Sequence, residues 1–125
     1  VDREKIALEL KKNMDLKKKQ SFPKLYVQIN IGEEKQKNGC SPIVAKKFIT
    51  DCLSYGLNIT GVMGIPPVNE EPAPYFALLT KIATESCLNN ISMGMSNDFE
   101  KAIYLGATSI RVGTKIFGKR EAIKN

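Results

Sequence analysis

Two segments near the end of the chain hold most of the groups suited to binding chemistry: Ser92-Met93-Gly94-Met95-Ser96-Asn97-Asp98 and Arg111-Val112-Gly113-Thr114. Ser96 stands where a helix is predicted to begin. Its hydroxyl and the N–H groups of Asn97 and Asp98 suit an anion such as a phosphate, aided by the positive end of the helix dipole; the same position also suits a plain N-cap. Gly113 would let a ligand come close to the backbone, and the amides of Gly113 and Thr114 could donate to the same anion. A tight turn is the alternative for that glycine. Arg111 ends an apolar run, where a charge is costly unless it is paired or meets a ligand. A guanidinium keeps its proton, so it can donate to a ring nitrogen without protonating it. An internal ion pair with a carboxylate such as Asp98 is the competing reading.

The rest of the composition removes other chemistries. There are 0 histidines and 0 tryptophans, so no mechanism that needs an imidazole from this chain is available. Cys40, Cys52 and Cys87 are odd in number and form no C-x-x-C, which argues for buried reduced thiols and against a disulfide framework or a metal site. The net charge of +6 is concentrated in residues 1–24, where Arg3, Lys5, Lys11, Lys12, Lys17, Lys18, Lys19 and Lys24 oppose Asp2, Glu4, Glu9 and Asp15. With a single arginine and only Phe22 as an aromatic, this stretch reads as a solvated helix face, with an RNA- or lipid-binding patch as the alternative. No apolar run approaches the roughly 20 residues of a membrane span, and Asp2-Arg3-Glu4-Lys5 stands where a signal peptide would be apolar. The expectation is a soluble, cytoplasmic protein with no nucleic-acid or membrane partner.

The elements that must position these groups follow from periodicity. Ile6, Leu10 and Met14 predict a helix over 3–18 capped by Asp2, and 25–31 reads as a strand covered on both faces. Ser41 and Pro42 open a second helix that Gly56 ends. A strand over 59–65, a proline-rich loop and a helix through Tyr75, Leu78, Leu79, Ile82 and Ala83 follow. A strand at 90–93, a helix over 98–105 and a strand at 108–112 complete the order. One helix and then βα repeats imply a parallel α/β sheet in one domain, either a small doubly wound sheet or half of a TIM (β/α)₈ barrel. In both, ligands gather at the C-terminal ends of the strands, where the two segments lie. Gln28 and Asn30 are polar for such a strand and suit either the site or a structural hydrogen bond.

Ser92-Met93-Gly94-Met95-Ser96-Asn97-Asp98-Phe99-Glu100 and Ile110-Arg111-Val112-Gly113-Thr114-Lys115-Ile116-Phe117-Gly118-Lys119-Arg120 closely resemble the end of the pyridoxal phosphate homeostasis protein family, also called the YggS or PROSC family. Val27-Gln28-Ile29-Asn30, Lys37-Asn38-Gly39, Gly61 to Pro66 and Asp2-Arg3 extend the resemblance over about residues 1–120 in order. It implies the C-terminal half of a TIM (β/α)₈ barrel similar to the N-terminal domain of alanine racemase, a fold-type III pyridoxal phosphate barrel. Residues 1–125 would then form one partial domain. The resemblance places Ser96, Gly113 and Thr114 on the cofactor phosphate and Arg111 against the pyridine nitrogen, with Asn97 and Met93 as secondary contacts. It implies a binding and supply protein with no catalytic constellation.

The family's Schiff-base lysine lies on a strand absent from this sequence, and no lysine here falls inside a buried strand. The expectation is therefore non-covalent phosphate binding at most, with no aldimine. Apo pyridoxal phosphate enzymes are the implied partners. A missing N-terminal half or self-association would have to cover the open barrel faces. A racemase-like enzyme fragment and a basic RNA- or lipid-binding module remain the alternative functions.

Overall fold

The computed structural model describes residues 1–17 and 22–120. Lys18 and Lys19 of the lysine-rich segment lie outside the described residues. Four strands, β1 (Leu25–Ile29), β2 (Ile59–Gly64), β3 (Asn90–Met95) and β4 (Ser109–Arg111), pair in sequence order into one sheet, every pairing parallel. Each crossover carries a helix: α2 (Pro42–Ser54), α3 (Ala73–Glu85) and α4 (Phe99–Tyr104). Helices α1 (Glu4–Leu16) and α5 (Thr114–Phe117) stand before β1 and after β4. This is the βα-repeat sheet of a half-barrel.

Successive strand side chains face two environments. Val27, Ile29, Val62, Ile91 and Met93 are buried beneath the helices and meet Ala45, Ile49, Phe76, Leu79, Ile82, Ala83 and Ala102 in one core. Gln28, Met63 and Ser92 lie in register on the opposite face and are only partly covered. A side-chain period of 2 therefore separates the face that stabilises the sheet from the face that can meet a ligand. Burying Phe76 completely contributes roughly 2–3 kcal/mol to the helix side.

Helix α2 opens as expected, with the Ser41 Oγ accepting from the Ile43 N–H at 3.3 Å and Pro42 in the first turn. Helix α1 differs from its expected form. It begins at Glu4 with Arg3 at the N-cap and no side-chain cap, because the Asp2 carboxylate instead accepts the Gly39 N–H at 3.1 Å. Its inward face is Ala7, Leu10 and Met14 at i, i+3 and i+7; Ile6, one step around, is exposed. Val1 lies along the outer edge of β1, donating to Tyr26 and accepting from Gln28 through backbone groups.

Other boundaries shift for local reasons. Strand β1 ends at Ile29, since the Asn30 side chain closes a turn by donating to the Glu34 carbonyl at 2.7 Å and accepting the Glu34 N–H at 3.1 Å. That assigns Asn30 to the structural hydrogen bond. Strand β3 runs on to Met95. Helix α5 was not expected at all, being a single turn too short to show periodicity. The cysteines also depart from expectation: Cys40 and Cys52 are buried, and burial pushes the Cys40 thiol up to about 11, but Cys87 is exposed.

Gly94 sets how closely α4 approaches the sheet. Its φ is +98°, and a Cβ there would fall 2.6 Å from the Ala102 Cβ. Backbone strain and overpacking act together at this position. Gly94→Ala is expected to lower unfolding stability by roughly 3 kcal/mol in urea titration.

Candidate functional site

Three loops at the C-terminal ends of β2, β3 and β4 enclose an open cleft of about 670 Å³. The first, from Ile65 to Pro72, supplies an apolar wall through Ile65, Pro66, Pro67 and Val68. The second brings Ser96, Asn97 and Asp98, and the third brings Gly113 and Thr114, with Arg111 lining the cleft from the end of β4. Five sequence candidates, Ser96, Asn97, Arg111, Gly113 and Thr114, thus border one space. Met93 does not: it projects to the helix side of β3, opposite to Ser92, and is sealed in the core at 0% exposure.

The Arg111 side chain reaches back across the sheet. Its Nη1 donates to the Ser92 Oγ at 2.7 Å and to the Ser92 carbonyl at 3.3 Å, and its Nη2 donates to the Gly64 carbonyl at 3.2 Å. One cation therefore joins the ends of β2, β3 and β4. No carboxylate among the described residues lies within ion-pair distance of it, so the expected alternative of a pair with Asp98 is not formed. Partial burial pulls the guanidinium below its ordinary range, and the more distant Asp98 charge opposes this. An arginine remains protonated under such a shift.

The two anion-suited loops are joined directly. Ser96 does not cap α4; its Oγ accepts the Lys115 N–H at 3.2 Å, linking the loop after β3 to the first turn of α5. Asp98 takes the N-cap position of α4, and its Oδ1 accepts the Met95 N–H at 2.7 Å, closing the loop on itself. The Lys115 ammonium lies 5.2 Å from the centre of the Phe99 ring, a second tie between the same segments. Across the cleft, Lys101 meets Glu71 at 2.8 Å, and its ammonium, hydrogen-bonded to that carboxylate, holds the Glu71 carboxyl below its usual range.

Packing of the protein does not require a glycine at Gly113. Its φ is −105°, open to any residue, and a Cβ there would meet nothing within 4 Å. The tight-turn reading therefore has no steric basis. The Gly113 and Thr114 N–H groups donate to no protein acceptor among the described residues. Reasoning from sequence overlooked Ser92, the partner of Arg111; its signal was a polar residue alternating with apolar Ile91 and Met93. It also overlooked the Lys101–Glu71 tie, which pairs residues 30 apart and leaves no local pattern.

The chain is 35% identical over 131 residues to the pyridoxal phosphate homeostasis protein of Aquifex aeolicus, covering 97% of this chain and 57% of that protein. The human protein of the same name is 32% identical over 140 residues, with 99% and 50% covered. Over nearly its whole length the chain is similar to pyridoxal phosphate homeostasis proteins. It spans about half the length of these curated relatives. No protein-family model matches it. The structure of PipY from Synechococcus elongatus without pyridoxal phosphate superimposes with a TM-score of 0.82 at 30% identity, covering 94% of this chain and 59% of that one. The structure of PipY with pyridoxal phosphate bound gives 0.75 at 28% identity, with 94% and 58% covered. Among the described residues no helix is long and apolar enough to cross a membrane.

Since nothing in the protein crowds Gly113, Gly113→Ala is expected to change unfolding stability by less than about 0.5 kcal/mol in the same urea titration that detects Gly94→Ala.

Proposed function

We propose that this chain is the phosphate- and ring-nitrogen-contacting part of a pyridoxal 5′-phosphate-binding protein of cofactor homeostasis, a cytoplasmic carrier and not an enzyme. The observation that carries the reading is Arg111: a half-buried cation held by three neutral oxygens, with no carboxylate partner among the described residues, in a cleft bordered by backbone donors that have no acceptor among those residues. A guanidinium so held offers N–H groups to a ring nitrogen and cannot pass it a proton. Ser96, Gly113 and Thr114 hold the phosphate, with Asn97 at the rim. Gly113 fits this role because the space its missing Cβ leaves open is free for a ligand oxygen.

The cofactor, when bound, supplies an aldehyde and an electron-accepting ring. The residues here position it and do not activate that ring, since a neutral pyridine withdraws electrons less strongly than a protonated one. The chain contains no histidine, and none of the lysines among the described residues is buried. The names of the relatives describe homeostasis, and a carrier of that kind implies recipients, the apo enzymes that need the cofactor.

Fluorescence titration of the purified 13.9 kDa chain with pyridoxal 5′-phosphate tests the reading. Saturable binding is expected, displaced by inorganic phosphate. Arg111→Met should weaken it about tenfold or more, the loss expected when a charged hydrogen-bond donor is removed. Gly113→Ala should weaken binding at unchanged folding stability. Borohydride reduction followed by intact mass measurement should show no stoichiometric covalent adduct. Binding that ignores both phosphate and Arg111→Met would overturn the assignment.

A further inference from the structure

We propose that Ser92 is a positioning residue for this site, acting through Arg111 to set the ligand's ring-nitrogen contact. The proposal rests on the pyridoxal phosphate reading above and names a residue for which that reading gives no role.

Ser92 sits on the ligand-facing side of β3, between Ile91 and Met93, which turn into the core. Its register partners are Met63 on β2 and Ser109 on β4. Its hydroxyl holds the shortest of the three contacts made by the Arg111 guanidinium, 2.7 Å against 3.3 and 3.2 Å for the two carbonyls. The carbonyls belong to the backbone and survive any substitution. The hydroxyl is the one acceptor in this set that the side-chain sequence controls.

A guanidinium has five N–H donors, so three contacts leave at least two for the cleft. Their direction follows from how the plane of the group is held. With Ser92 present, three oxygens from β2 and β3 fix that plane. Without its hydroxyl, two longer contacts remain, both on the side toward the sheet, and the long Arg111 side chain regains rotamer freedom that binding must then remove. The phosphate groups Ser96, Gly113 and Thr114 are not bonded to Ser92 and keep their geometry. The loss falls on the ring nitrogen.

Ser92→Ala is compared with the unaltered chain for three ligands: pyridoxal 5′-phosphate, its analogue with C–H in place of the ring nitrogen, and inorganic phosphate. The expected result is about tenfold weaker binding of pyridoxal 5′-phosphate, matching loss of a hydrogen bond to a charged group. Affinity for the carbon analogue and for phosphate should be unchanged. Ser92→Thr, which keeps the hydroxyl and suits a strand, should restore the affinity. Circular dichroism melts of each variant report folding, and Ser92→Thr carries the comparison should the alanine variant fold poorly. Equal losses for all three ligands, or no loss for any, would overturn the role of Ser92 while leaving the cofactor site in place. Absence of pyridoxal phosphate binding by the unaltered chain would instead remove the functional reading and this inference with it.

Discussion

A charge on the less covered side of a parallel sheet can stay only if oxygens surround it, and Arg111 meets that condition without a carboxylate among the described residues. Desolvating a cation costs several kcal/mol unless it is hydrogen-bonded or paired. Here the compensation comes from Ser92 and from the Gly64 carbonyl, all neutral acceptors. A carboxylate would satisfy the guanidinium more strongly, but it would also cancel the charge and occupy its donors. Neutral oxygens hold the group without a carboxylate in ion-pair contact among the described residues. The same three contacts span β2, β3 and β4, so the arrangement that suits a ligand also registers the strand ends.

The loops around that cation are held by contacts that individually contribute little. The Lys101–Glu71 pair is exposed on both sides, where such a pair is worth about 0–1 kcal/mol, and the Lys115–Phe99 contact is similarly modest. Their effect is geometric. Each joins segments that approach the cleft from different strands, and the Ser96–Lys115 hydrogen bond does the same between the two loops richest in free amides. Stability resides on the other face, where Phe76, Leu79, Ile82 and Ala102 cover β2 and β3. Dividing stability from positioning between the two faces lets the loops carry glycines without loosening the core.

Much of this was legible in the sequence because it depends on local rules. The βα order, the Ser41-Pro42 helix start, the parallel sheet and the convergence of Ser96, Asn97, Arg111, Gly113 and Thr114 all follow from periodicity, capping and strand-end logic. Other features depended on tertiary choices between equally good local options. Ser96 is as good an N-cap as Asp98, and the outcome depended on the Lys115 N–H, 19 residues away. Asp2 suits a helix start, yet the Gly39 N–H claims it from 37 residues away. Met93 and Ser92 differ by one residue, and with a period of 2 that single step exchanges the core for the opposite, partly covered face.

The glycines show how a structure separates what sequence leaves together. Gly64, Gly94 and Gly113 all stand near strand ends, and of these the sequence reading assigned a turn or a close approach to Gly113. In the fold a Cβ on Gly64 would strike the Leu79 side chain at 2.8 Å, and one on Gly94 would strike Ala102 at 2.6 Å; both serve helix packing. Gly113 has neither a crowding neighbour nor a positive φ. A residue with no Cβ weakens the chain slightly through its greater freedom when unfolded, so a glycine that folding does not require is disfavoured unless it serves something else. Among the described residues the amides of Gly113 and Thr114 have no protein acceptor, and they stand beside Arg111 and Ser96 on the open volume that Gly113 leaves.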